Sequence, residues 1–154
     1  MQIHLITIGN RMPSWVQQGY DEYAKRLPRE CQLQLTELSP GKRSKNSDIA
    51  KIIHDEGERM LSASQNNHIV TLDLPGQPWT TPQLSNAIKR WQLLGKNIAL
   101  LVGGADGLSD NVKAKAQESW SLSPLTFPHP LVRIIIAEQI YRAWSLLNNH
   151  PYHR

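Results

Sequence analysis

Residues 122–133 read LSPLTFPHPLVR and hold three of the chain's ten prolines, Pro124, Pro128 and Pro130. Each proline fixes φ near about −65° and removes a backbone donor. Each also pushes the residue before it out of the helical region. The segment is thereby excluded from a helix interior and from the middle of a paired strand. It is a stiff loop with free backbone groups. Upstream lies a strand-like run, residues 97–102, ending in the glycine turn Gly103, Gly104, Ala105, Asp106, Gly107. Downstream a long apolar helix runs over residues 130–148. A stiff loop between a glycine turn and a buried helix can act as a binding wall whose backbone reads a ligand.

The rest of the chain alternates in the same way. Apolar patterning predicts strands at residues 1–9, 32–38, 68–73, 97–102 and 119–122. Helices are expected at about 14–27, 47–63 and 109–118, and over the last apolar stretch. Another follows Thr80 or Thr81, with Pro82 near its first position and Gly95 past its end. Ser47 is the expected cap of the second helix, with Ile49, Ile52, Ile53, Met60 and Leu61 inward. Leu74, Pro75 and Gly76 read as a turn after the third strand. This alternation specifies one α/β domain over residues 1–154 with a mostly parallel sheet. The last helix is apolar nearly all round, so a small domain covers only part of it and a homodimer partner is the simplest further cover.

Composition narrows the class. Seventeen basic and thirteen acidic residues give a net charge of +4, which permits an anionic partner without demanding one. The single cysteine, Cys31, excludes an internal disulfide and fits a reduced, cytoplasmic setting. No metal-ligand spacing is present, and no run of about 18 apolar residues could span a membrane. The N-terminus MQIHLITIGN reads as a strand and not as a signal peptide.

The chain lacks GxGxxG after its first strand, and also GxxxxGKS/T, HExxH and GxSxG. What points to a site is a combination. Two strand ends, at Leu72 and Asp73 and at Gly103 and Gly104, precede helices, and ligands of open α/β sheets bind outside the carboxyl ends of strands. The proline loop would be the third wall. Backbone groups on three loops can hold an adenine and a ribose. His129 opens the last helix, where a structural histidine is the commoner case. Arg133 on that apolar helix needs a partner, since burying it alone is costly. Glu138 and Arg142 are spaced for a helix-surface ion pair. The basic loop SPGKRSKN suits a solvated connection and a phosphate contact about equally. The tail His150, Pro151, Tyr152, His153, Arg154 would ordinarily fray, yet it also suits stacking on an RNA loop.

LVGGADGL, SWSLSPLTFPHPLVRIIIAEQIYRAWS and NHPYHR, with VQQGYDEYAKRLP and PGKRSKN, together resemble the RlmH (YbeA) family of small SPOUT-superfamily ribosomal RNA large-subunit methyltransferases. The resemblance covers essentially the whole chain. One departure is GGADG where the family pattern suggests GGPEG. The resemblance implies an α/β fold whose C-terminal segment threads a deep trefoil knot. It implies S-adenosylmethionine held around Leu72, Asp73, Gly103, Gly104, Ser123, Pro124, Leu125, Thr126, Phe127 and Pro128. It also implies a homodimer, no metal, and methylation of N3 of a pseudouridine in helix 69 of 23S rRNA on assembled ribosomes. For such a transfer His153 and His129 are the candidate bases. Arg142 or Arg154 would stabilise charge on the uracil carbonyls, and Tyr152 would stack on the base. The alternative is a non-catalytic rRNA-binding module with the same basic loop. An NAD-type enzyme is disfavoured by the missing glycine fingerprint.

Overall fold

The computed structural model describes residues 1–153. Five strands, β1 (Gln2–Ile8), β2 (Gln32–Leu38), β3 (His68–Gln77), β4 (Ile98–Val102) and β5 (Glu118–Trp120), form one sheet in the order β2-β1-β4-β3-β5. Every pairing is parallel. The helices are α1 (Ser14–Ala24), α2 (Ile49–Ala63), α3 (Thr81–Gln92), α4 (Asp110–Lys115) and α5 (His129–Leu147). Both faces of the sheet are covered. Ile3, Leu5, Ile98 and Leu100 pack with Leu84, Ile88, Trp91, Val132, Ile136 and Ile140 of α3 and α5. Ile6, Ile8, Ala99 and Leu101 pack on the other side with Met60 and Val112 of α2 and α4. A parallel strand covered twice needs apolar residues at every position. IALLV of β4 is buried throughout for that reason.

Several boundaries differ from expectation, each for a local reason. Helix α1 stops at Ala24 and unwinds in tighter turns, Arg26 N to Tyr23 O and Leu27 N to Ala24 O, because Leu27 precedes a proline. The cap of α2 is Asp48, which accepts from Lys51 N, while Ser47 Oγ takes Ser44 N instead. Within α2 the buried residues are Glu56, Gly57 and Met60, and Ile49 is exposed. Strand β3 does not end at Asp73. After an excursion through Leu74 and Pro75, Gln77 pairs again with Trp120. Helix α4 is short because Gln117 is already bound to β3, N to Ile69 O at 2.9 Å and Oε1 from Ile69 N at 2.6 Å. Thr80 caps α3 in a reciprocal box with Gln83.

Helix α5 is flanked by α1 and α3, so its own chain covers more of it than expected. What remains is an outer strip. Leu131 is exposed, and Ile135 and Leu146 are half-buried. Arg133 finds its partner. The side chain is fully buried, with Nη1 donating to Glu37 at 2.7 Å and Nη2 to Thr7 Oγ1 at 3.1 Å and Gly9 O at 2.8 Å. It thereby ties α5 to the end of β1. Glu37→Ala leaves that cation unpaired and is expected to destabilise the fold by about 3 kcal/mol in urea denaturation. A change under about 0.5 kcal/mol, typical of surface sites, would refute the role of the pair.

At the opposite end of the sheet Glu118 gathers three donors, His68 Nε2 at 2.6 Å, Trp91 Nε1 at 2.8 Å and Arg90 Nη2 at 2.9 Å. Burial alone would raise its pKa, but bonds from Arg90, His68 and Trp91 outweigh that and hold it below the ordinary carboxylate value. A depressed folded pKa stabilises the protein above the unfolded value, about 4.3, and the gain is lost as pH falls through the folded pKa. The melting temperature should therefore drop below about pH 4. Glu118→Gln should melt lower at pH 7 and lose part of that acid dependence. An identical acid profile would count against the hub.

Candidate functional site

The carboxyl ends of β1, β3 and β4, where a ligand of an open parallel sheet is expected, surround a cleft of about 800 Å³. That size lies within the range of small-molecule sites, about 300–1,000 Å³. Ile8 and Gly9 stand at the end of β1, Leu72, Asp73 and Leu74 belong to β3, and Val102, Gly103 and Gly104 stand at the end of β4. The loop after β5 adds Ser121, Leu122, Ser123, Leu125, Thr126 and Phe127, and α5 adds His129 and Val132. Pro40, Gly41 and Arg43 complete the wall.

Each wall is built locally. The glycine turn closes with Gly107 N donating to Gly104 O at 3.1 Å, and Gly107 takes φ 83°. A Cβ at Gly103 would stand 2.6 Å from the backbone C and O of Gly107. Only glycine permits that return of the chain. In the proline loop, Ser123 Oγ accepts from Leu125 N at 2.9 Å. Phe127 and Leu122 pack on the core, which leaves Leu125 68% exposed at the rim. Pro124 and Pro128 are exposed and do not line the cleft, contrary to their expected place in it. Their part is to shape the loop. Pro128 precedes α5, and its carbonyl accepts from Leu131 N at 3.0 Å.

Asp73 and His129 both line the cleft, as does Arg43. Asp73 is held on its far side by Lys113 Nζ at 3.5 Å. His129 lies beside Gly9, and its buried Nε2 has no protein partner among the described residues. Burial, and then the Arg133 cation, pushes the His129 pKa down, so the ring is neutral at pH 7. The loop carrying Lys42, Arg43 and Lys45 divides its charges. Arg43 is bound to Glu56 and Asp106, while Lys42 and Lys45 are exposed.

The tail lies elsewhere. Residues Pro151–His153 form a short 3-10 turn packed on α5. Tyr152 rests on Tyr141 at 4.6 Å between centroids, with its hydroxyl donating to Glu138 at 3.2 Å. Arg142 lies 5.2 Å over the Tyr152 ring and binds Glu138 at 2.6 Å, the expected helix-surface pair. Burial first, and then Glu138, pushes the Tyr152 pKa up to about 12. Arg26 adds a cation 5.8 Å from the same ring. His153 has a buried Nδ1 without a partner among the described residues. None of Arg142, Tyr152 and His153 lines the cleft of its own chain, and Arg154 lies outside the described residues.

The cleft thus joins residues 72, 73, 103, 104, 123, 125, 126, 127 and 129 of the sequence-based set. Gly9 and Ser121 were missed, and Arg43 was weighed only as part of a basic loop that could contact phosphate. Gly9 reads in sequence only as a strand terminator, and nothing local says that β1 lies beside β4. Among the described residues no group of three or more His, Cys, Asp or Glu side chains is gathered as for a metal, and no helix is long and apolar enough to cross a membrane.

The walls are apolar and backbone-rich, with an acidic group and hydroxyls. They suit a nucleoside joined to a short polar chain. A probable methylase family protein from Haemophilus influenzae Rd KW20 shares the fold, with TM-score 0.57 and 12% identity over 99% of this chain and 70% of that one. The "Ribosomal RNA large subunit methyltransferase H" of Methylococcus capsulatus is 63% identical over 155 aligned positions, covering all of both chains. A family model described as "Predicted SPOUT methyltransferase" matches residues 1–153. With its cleft at the carboxyl ends of a five-stranded parallel sheet, the chain belongs to the SPOUT methyltransferase family.

Proposed function

We propose that this chain, a single domain over residues 1–154, uses S-adenosylmethionine to methylate N3 of a pseudouridine in helix 69 of 23S rRNA on assembled ribosomes in the cytoplasm. The observation that carries the reading is the cleft itself. Three strand ends and the proline loop enclose a volume fit for a nucleoside, and the floor at Gly103 tolerates no side chain. The identity to a named ribosomal RNA large subunit methyltransferase supplies the substrate class. We also take the C-terminal segment to thread a deep trefoil knot. In support, β5 stands at one edge of the sheet while Arg133 of α5 is fixed to Thr7 and Gly9 of β1. Residues 121–127 run beside the carboxyl ends of β3 and β4 on the way, as a threaded segment would.

When bound, S-adenosylmethionine supplies an already activated methyl group, so the protein's task is mainly positioning. Leu72, Gly103, Gly104, Ser123, Leu125, Thr126 and Phe127 would hold it by backbone groups and apolar contact. Asp73 offers a carboxylate to a hydroxyl or to positive charge. N3 of the base must lose its proton, and a neutral imidazole can accept it. His129 is inside the cleft, though its lowered pKa makes it a weaker base than an ordinary imidazole. His153 is the second candidate. Arg142 and Arg154 would stabilise charge developing on the uracil carbonyls, with Tyr152 stacking on the base.

Arg142, Tyr152 and His153 stand outside the cleft of their own chain, so a homodimer would have to deliver them to the neighbouring one. The strip of Leu131, Ile135 and Leu146 on α5, with Trp15 50% exposed on α1, suits such a partner. Lys42 and Lys45 are exposed and suit RNA phosphates.

Calorimetry with S-adenosylmethionine, followed by transfer of labelled methyl to 50S subunits and to 70S ribosomes, tests the reading. Heat of binding and one labelled pseudouridine are expected. Binding to ribosomes without cofactor binding would favour the non-catalytic module. Sedimentation as a monomer at micromolar concentration would remove the shared site.

A further inference from the structure

Arg43 lies in the stretch between β2 and α2, most of which has no regular structure, yet it is among the most firmly held side chains of the cleft. It commits four of its N–H groups. Nη1 and Nη2 grip the two oxygens of Glu56 at 3.0 and 3.1 Å, and Nη1 also donates to Gly41 O at 3.0 Å. Nε donates to Asp106 Oδ2 at 2.7 Å. The two carboxylates differ in kind. Glu56 is buried, 2% exposed, and takes Gly41 N at 2.8 Å as well. The Asp106 side chain is 37% exposed and has Arg43 as its one hydrogen-bond partner among the described residues. Glu56 therefore anchors the guanidinium to α2, and Asp106 is what the anchored group reaches for.

Both loops joined in this way are walls of the cleft. One contributes Gly41 and Arg43, and the other contributes Gly103, Gly104 and Gly107. With two carboxylates on one guanidinium the local charge is negative, so Arg43 does not recruit an anionic ligand. Its planar fork fixes the direction of Nε, which a lysine cannot do. We infer that Arg43 is a positioning residue that latches the glycine turn to the loop after β2 and so sets the shape of the methyl-donor pocket. This rests on the reading of the cleft given above. It also accounts for an acid at position 106 of the GGADG turn, where a solvent-facing residue would otherwise be free to vary in type.

The test uses the full-length protein with S-adenosylhomocysteine as probe. Asp106→Ala should keep the wild-type melting temperature, since the residue lies at the surface. Its dissociation constant should rise about tenfold, chiefly through faster dissociation. Asp106→Glu should recover most of the affinity. Arg43→Lys should weaken binding and also melt lower, because Glu56 loses its fork. Without ligand, hydrogen exchange in residues 39–46 and 103–108 of Asp106→Ala should be faster than in the wild type. Unchanged exchange, or wild-type affinity and dissociation rate in Asp106→Ala, would overturn the latch. A wild type that gives no heat with the probe overturns the methyl-donor reading of the cleft, and the latch's assigned role with it.

Discussion

Removal of Tyr152, His153 and Arg154 is expected to lower ribosome methylation by about two to four orders of magnitude, the span for lost acid–base and positioning groups. Affinity for S-adenosylmethionine should stay near the wild-type value, because Tyr152 and His153 do not line the cleft of their own chain. Stability should not be wholly spared. Position in sequence suggests a frayed end, but Tyr152 packs on Tyr141 and donates to Glu138. Losing one aromatic pair costs about 0.5–1.5 kcal/mol. His153→Ala and Tyr152→Phe separate the two effects, since neither removes that packing. If the truncated protein methylated ribosomes at the wild-type rate, the tail would be dispensable. If it lost the cofactor instead, these residues would belong to the methyl-donor site. Mixing truncated chains with chains whose cleft is blocked should restore activity in part, because one mixed dimer can hold one intact site.

Gly103→Ala is the second large effect expected. The added Cβ would stand 2.6 Å from the Gly107 carbonyl, so the turn must open. A shift of about 1 Å in a positioning wall can cost about a hundredfold. Cofactor binding should fall by that order while far-ultraviolet circular dichroism is retained. Gly104→Ala should be milder. Its Cβ would meet Ile8 Cγ2 at 3.0 Å, and a side chain can give way where a backbone cannot. Gly104→Val presses harder on Ile8 and should also weaken binding strongly. Calorimetry on the three variants gives the order. Equal, unimpaired affinity in all of them would reduce the turn to a mere connection.

Much of the fold was legible in the sequence because it rests on local signals. Short apolar runs and helical apolar spacing marked every strand and helix, and the Thr80 and Pro82 signals placed the start of α3. The stiffness of the proline loop followed from the chemistry of proline alone. The glycine turn and the two strand ends located most of the cleft, since a parallel sheet presents its ligand site at those ends. Boundaries were less legible where a long-range bond decided them. Gln117 joins β3 and cuts α4 short, and Gln77 resumes pairing beyond the LPG excursion.

Only the tertiary structure decided what each charged residue does. In sequence Arg43 is one of three cations in a polar loop. In space it is bound by a buried glutamate and an aspartate far along the chain, because strand order brings α2 and the glycine turn to one place. Arg133 posed a question that sequence could state but not answer. Glu37, Thr7 and Gly9 answer it from strands that periodicity cannot order. The tail is the same lesson in reverse. Its residue types pointed to chemistry, and the packing of one chain sets Tyr152 and His153 outside that chain's own cleft. Local propensity reads along the backbone, whereas a site is made of contacts between segments whose separation in sequence carries no information about their distance in space.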